Sequence, residues 1–285
     1  MKIDRDRARA AFAAYVAPYD PKNPRISLKV AHTYRVASLS DRIARAAGLA
    51  GEDVDLAWLC GLLHDVGRFE QVRRWDTFRD ADSTSHARLG ARELFCERKT
   101  LGRPDASSQL PRIRDYLDDA SEDELIRTVI AVHSDLAIPE TLDERTRAFA
   151  NIVRDADKVD ILRTVECDTP ETILGCSAGT LLESAISPEA TRAFDERRCM
   201  RRDERSQPAD YLVSFACFAF ELVYPESRRA MREQGFALRL LESPFGITEP
   251  FHKPATRAEL ARMADELRAW LGADDREATR TPEPI

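Results

Sequence analysis

Apolar residues in this chain recur every three or four positions and seldom every second one. That pattern commits it to helices rather than to a sheet. The spacing predicts a first helix over residues 4–17, ended by "YDPKNP" at Tyr19–Pro24. A second, over residues 25–47, carries Leu28, Ala31, Tyr34, Val36, Leu39 and Ile43 and stops at Gly48. A third, residues 52–66, ends at Gly67. The stretch "QVRRWDTFRDADSTS" reads as a loop, residues 86–97 as a helix, and "TLGRPDASSQLP" (Thr100–Pro111) as another loop. Ser121 and Glu124 have the spacing of a capping box at the start of a helix that runs to His133. Residues 141–166 form one long helix, 170–200 shorter pieces, and 209–234 and 256–271 two more helices. The expected fold is all-α. It forms a single domain over residues 1–273, with a core at about 25–165, a C-terminal helical part at about 170–273 and a mobile tail at 274–285.

A chain of 285 residues can bury a sizeable core, and a net charge of -7 argues against nucleic acid as a specific partner. The six cysteines form no CxxC pair and lie in apolar or helical stretches, as buried free thiols would. The start "MKIDRDRARAAFAAYV" lacks a secretory apolar region. The longest apolar run, Tyr211–Tyr224, is too short to span a bilayer. No membrane association is expected, and a cytoplasmic location follows as the default. That run reads as core or as the face of a homodimer.

One stretch does not fit a plain core helix. "GLLHDVGRF" (Gly61–Phe69) places His64 and Asp65 side by side at the end of an apolar run. Both are costly to bury without hydrogen bonds or a metal ion. The chain has five histidines, and His32, His64, His86 and His133 all fall on helices or helix edges of the first half. Singly, each has an ordinary reading. His32 can be a satisfied core residue, His86 a helix-start residue, His133 a helix C-cap and Asp157 a solvated charge. As a set they supply imidazole nitrogens and carboxylate oxygens, donors suited to Zn, Mn, Fe or Ni, with no thiolate among them. Helical metal sites converge in this way from several helices.

The order His, His-Asp, His, His, Asp resembles the HD-domain superfamily of metal-dependent phosphohydrolases. "LKVAHTYRV", "GLLHDVGRF", "STSHARLGARELF", "VIAVHSD" and "RDADKVDIL" carry the resemblance. It implies an HD-domain-like helical bundle with additional C-terminal helices. By position, His32, His64, Asp65 and Asp157 match the family's four metal ligands. His86 and His133 match the extra ligands of its two-metal members, in which the aspartate of the HD pair bridges both ions. Two divalent transition-metal ions per chain, Fe, Mn, Ni or Zn, are therefore expected. No "GYP" follows the HD pair, and Val66-Gly67-Arg68-Phe69 replaces the pattern of the guanosine-tetraphosphate hydrolases. Those two substrate classes lose weight accordingly.

The resemblance implies cleavage of a phosphate ester of a small phosphorylated metabolite, a nucleotide by preference, by a metal-activated hydroxide. Phosphate oxygens must then meet positive charge. Arg68, three residues past Asp65, and Lys158, directly after Asp157, are the first candidates and complete the catalytic set with Asp65. Arg35 lies on the face of His32 and joins them for substrate binding. Arg73 and Arg74 could reach an incoming anion, and the loop with Trp75 and Phe78 could be a lid, although pinning to the core is the plainer role. His252 reads as a loop residue outside the pattern. Two rivals stand beside this reading: an HD-type di-iron oxygenase acting on a small organic substrate, and a signalling or binding module with a decayed site.

Overall fold

The computed structural model describes residues 2–96 and 111–272, and every regular element among them is helical. In order they are α1 (Arg5–Val16), α2 (Pro24–Ala46), α3 (Gly51–Leu63), α4 (Val66–Trp75), α5 (His86–Phe95), α6 (Ile113–Tyr116), α7 (Asp123–Val132) and α8 (Glu144–Glu166). There follow α9 (Pro170–Leu174), α10 (Ala178–Leu182), α11 (Pro188–Asp195), α12 (Pro208–Ala216), α13 (Pro225–Gln234), α14 (Phe236–Glu242) and α15 (Pro254–Leu271), with short 3-10 turns between some of them. The chain divides into two compact units, Met1–Asp157 and Lys158–Ile285, and the division falls inside α8. The tail expected at 274–285, and most of the loop expected at Thr100–Pro111, lie outside the described residues.

In the first unit, α3 is the innermost helix. From Leu56 to Leu63 every residue is buried, so it has no solvent face to make it amphipathic. Helix α2 starts on the Asn23 side-chain cap with Pro24 in its first turn and turns Ile26, Val36, Leu39 and Ile43 inward. The two helices approach closely at one glycine. A Cβ on Gly61 would lie 2.6 Å from Ser40 Oγ and 2.9 Å from Ala37 Cα, so only a residue without a side chain lets them meet there. A second close approach joins α4 and α5. A Cβ on Gly67 would stand 2.1 Å from the His86 carbonyl oxygen, and Gly90 faces it from α5. Arg5 on α1 ties this unit together by bonding Asp55 at 2.7 Å and Asp41 at 2.6 Å.

The second unit packs α12 against α14, and α14 against α15. Its short helices begin on Thr169, Ser177 and Ser187, each of which caps its helix with a side-chain oxygen. The buried Asp210 carboxylate accepts from the backbone N–H of Ser187, Ser206 and Gln207.

Several sequence expectations need correction. The helix expected over 52–66 stops at Leu63. Asp65 sits at φ -106, ψ 13, and a new helix, α4, runs on from Val66 through Gly67 into the expected loop, as far as Trp75. No capping box forms at Ser121, because α7 starts at Asp123 and Glu122, one residue later, is its N-cap. The helix expected over 209–234 is interrupted by a 3-10 turn at Cys217–Glu221 and restarts at Pro225, which cannot continue a helix from before it. Helix α14 was not anticipated. The six cysteines are free, but only Cys60 and Cys217 are buried and Cys167 is exposed. Among the described residues no helix is long and apolar enough to cross a membrane.

Candidate metal centre

Five helical segments bring six side chains together. His32 projects from the middle of α2, His64 and Asp65 from the break between α3 and α4, and His86 from the first residue of α5. His133 directly follows α7, and Asp157 lies within α8. All four imidazoles and Asp65 are buried, and Asp157 is 20% exposed. The two glycine contacts make this possible. Gly61 lets α3 come close enough to α2 for His64 to reach His32, and Gly67 does the same for Asp65 and His86.

The hydrogen bonds set the tautomers. His64 Nδ1 lies 2.7 Å from the Gly61 carbonyl oxygen, and His133 Nδ1 lies 2.7 Å from that of Ile130. A carbonyl oxygen only accepts, so each Nδ1 carries a proton and Nε2 is the nitrogen left to meet a metal. His86 Nδ1 faces both oxygens of Asp80, at 3.0 and 2.9 Å, with the same consequence. Burial and the nearby charge of Arg68 push the His86 imidazole down to about 4, so it is neutral at pH 7.

The Nε2 nitrogens gather around the Asp65 carboxylate, which has a different set on each oxygen. Oδ2 lies 3.7 Å from His32 Nε2 and 3.5 Å from His64 Nε2, while Asp157 Oδ1 is 3.1 Å from His32 Nε2 and 3.8 Å from His64 Nε2. Oδ1 lies 3.4 Å from His86 Nε2 and 3.8 Å from His133 Nε2. Burial alone would raise both carboxyls. At Asp65 the Lys29 ammonium and the His64 ring outweigh it; at Asp157 the His32 contact and the His64 and His32 rings do so. Both stay ionised, well below the usual carboxylate range.

These donors suit cations. Two triads, His32–His64–Asp157 and His64–Asp65–His133, each bring their ligand atoms within 4.8 Å of one another and could hold metal ions. Donors bound to one ion at about 2.0–2.2 Å must stand only a few ångströms apart. His64 Nε2 is buried with no hydrogen-bond partner. His86 Nε2 and His133 Nε2 face each other at 3.1 Å. With the Nδ1 atoms turned to their carbonyl and carboxylate partners, both Nε2 atoms are presented to whatever cation stands between them.

The expected phosphate-binding cations are placed less uniformly. Arg68 is at the edge of the centre, with Nε 3.6 Å from Asp65 Oδ1. Its NH1, however, is spent on Gln71 Oε1, the Phe78 carbonyl and Asp80 Oδ1 at 2.8, 2.5 and 3.1 Å. Lys158 is ion-paired with Glu221 within the second unit. Arg35 is half-buried one turn beyond His32. Arg73 and Arg74 are not on the loop expected for them. They end α4 and pair with the buried Glu70, Arg74 with Glu93 as well. Trp75 is 41% exposed, and Phe78 lies between Lys29 and Arg68, whose charged groups stand 5.8 and 5.6 Å from its ring. His252 lies in a loop and pairs with Glu183 and Glu249.

Sequence reasoning missed Lys29, Gln71 and Asp80. The Lys29 ammonium lies 2.6 Å from Asp65 Oδ2 and its side chain is 12% exposed. It precedes His32 by three residues, a spacing that places both on one helix face and could have flagged it. Asp80 and Gln71 carry no comparable signal.

A chain whose described residues form only helices around a buried centre of imidazoles and carboxylates is, as a class, a candidate metal-binding helical protein. Residues 30–162 match the family model of the HD domain, and the chain carries an HD domain over that stretch, followed by extra C-terminal helices. All six expected ligands fall inside the matched residues. No curated protein and no solved structure matches the chain.

Proposed function

We propose that the protein is a metal-dependent phosphohydrolase acting on a small phosphorylated metabolite, with a nucleotide the favoured form, and that it holds two divalent transition-metal ions. The observation that carries this reading is the division of labour at Asp65: one carboxylate oxygen faces His32 and His64, the other His86 and His133. His32, His64, Asp157 and Asp65 would hold one ion, and His86, His133 and Asp65 the other. Ions so held supply Lewis-acid polarisation of a phosphoryl oxygen and lower the pKa of water. The chain's own part is to aim four imidazole Nε2 atoms inward and keep two carboxylates ionised. It also brings positive charge to the rim, from Lys29 and Arg68, where an anionic ester would approach. That the six ligands stand together supports an enzyme over a module with a decayed site.

The test is elemental analysis of protein purified without chelator, followed by phosphate release from nucleotides, other monoesters and diesters under air and under nitrogen. The reading expects phosphate release that a chelator abolishes and that oxygen does not affect. Oxygen consumption on an organic substrate, without phosphate release, would replace it with the oxygenase.

A further inference from the structure

We propose that Asp80 is the positioning residue for His86, so that the segment between α4 and α5 assembles one half of the metal centre independently of the other half. The proposal rests on the two-ion reading above.

The argument starts from helix geometry. His64 and His133 each stand at a helix C-terminus, and each bonds the carbonyl three residues earlier on its own helix, Gly61 and Ile130. Their orientation is local and needs no other part of the chain. His86 is the first residue of α5 and has no turn of helix before it to supply such a carbonyl. Its acceptor must come from elsewhere, and both Asp80 oxygens fill the role at 3.0 and 2.9 Å.

Asp80 is itself held from α4, the helix that begins beside Asp65. Arg68 NH1 reaches Asp80 Oδ1 at 3.1 Å and the buried Gln71 amide reaches it at 2.9 Å. Gln71 also bonds Ser83 Oγ at 2.8 Å and the Thr84 carbonyl at 3.0 Å, which anchors the segment that leads into His86. One continuous set of contacts therefore runs from the HD pair through Arg68 and Gln71 to Asp80 and on to the His86 ring. A carboxylate accepting the Nδ1 proton fixes the tautomer and makes Nε2 a better donor to a metal. Losing such a partner costs about 10–100-fold in metal affinity. Asp80 bonds His86 directly, and Arg68, which holds it, lies against Asp65 Oδ1, the oxygen that faces His86, so the effect falls on the His86–His133 side.

Titration of the full-length, metal-stripped chain with manganese(II), followed by the loss of the free-ion EPR signal, tests this. The wild type should bind in two steps. Asp80→Ala should weaken the second step by about 10–100-fold and leave the first unchanged. Asp80→Asn keeps an oxygen that can accept from Nδ1, so it should lose less. It is also the variant to read if the alanine form fails to fold. Gln71→Leu loosens the segment but leaves the Asp80–His86 bond in place, and should weaken the second step much less than Asp80→Ala does. A wild-type second step in both Asp80 variants overturns the proposal. So does equal weakening by Gln71→Leu and Asp80→Ala, which would make Asp80 a tether of the loop and no more. A wild-type chain that takes up a single ion refutes the two-ion reading itself, and that outcome is recognised before any variant is made.

Discussion

The Lys29 ammonium lies 2.6 Å from Asp65 Oδ2, the same carboxylate oxygen that faces His32 and His64. The pair is nearly buried, with side chains 12% and 3% exposed. Removing one partner of a buried ion pair leaves the other charge uncompensated, at a cost of about 3–5 kcal/mol. Lys29→Met should therefore destabilise the chelator-treated protein by about 3 kcal/mol. It should cost less in the metal-loaded protein, where an ion also balances Asp65. Denaturant unfolding of both forms measures the difference. An equal loss in the two would separate Lys29 from the metal site.

Gly67 is where α4 meets α5. A methyl group there would lie 2.1 Å from the His86 carbonyl oxygen and 2.6 Å from the Gly90 backbone nitrogen. These are backbone atoms and cannot swing aside. Gly67→Ala should cost about 1–3 kcal/mol by overpacking and shift His86 away from Asp65. Gly51→Ala, at the start of α3 with nothing within 4 Å, is the control and should be neutral or slightly stabilising. Thermal melts of the two variants decide it, and equal melting temperatures would contradict the close approach.

His252 supplies a pH dependence remote from the centre. Its imidazole is raised above the ordinary 6.5 by hydrogen bonds with Glu183 and Glu249. A raised folded pKa means that the stabilisation is fully present below about pH 6.5 and is lost as pH rises through the folded value. Proton NMR titration should place the His252 midpoint above 6.5, and Glu183→Gln should lower it. A midpoint at or below 6.5 in the wild type would remove this ion pair.

The outline of the fold and the six residues that the fold brings together were legible in the sequence for a simple reason. Helical spacing is a local property, and histidines beside aspartates on apolar helices are rare enough to mark themselves. What was not legible depends on closure in space. The break at Asp65 was read two residues late, because Gly67 looks like a helix terminator. In the fold it serves instead to admit α5. The apolar run from Tyr211 hid the interruption before Pro225, since buried side chains continue on both sides of it. Asp80 looks like any other acid in a charged loop, and only the folded path of the segment brings it to His86. Arg68 stands as a phosphate-binding candidate from its position alone, and the backbone carbonyl and two side chains that share its NH1 come from residues up to twelve positions away.

Loss of the Asp65 carboxylate should be the most damaging single change to the centre, because both ligand sets share it. Asp65→Asn keeps the shape and one acceptor oxygen but removes the charge. Elemental analysis should find metal content reduced on both sides, with far-UV circular dichroism unchanged. Retention of full metal content would show that the carboxylate does not hold the ions.

The central claim is that Asp65 stands between two ions. Anomalous diffraction at the absorption edge of the metal found by elemental analysis tests it most directly. The account expects two peaks per chain about 3.5–4 Å apart, one beside His32, His64 and Asp157 and the other beside His86 and His133, with an Asp65 oxygen toward each. A single fully occupied peak, or a pair of peaks that Asp65 does not touch, would contradict it.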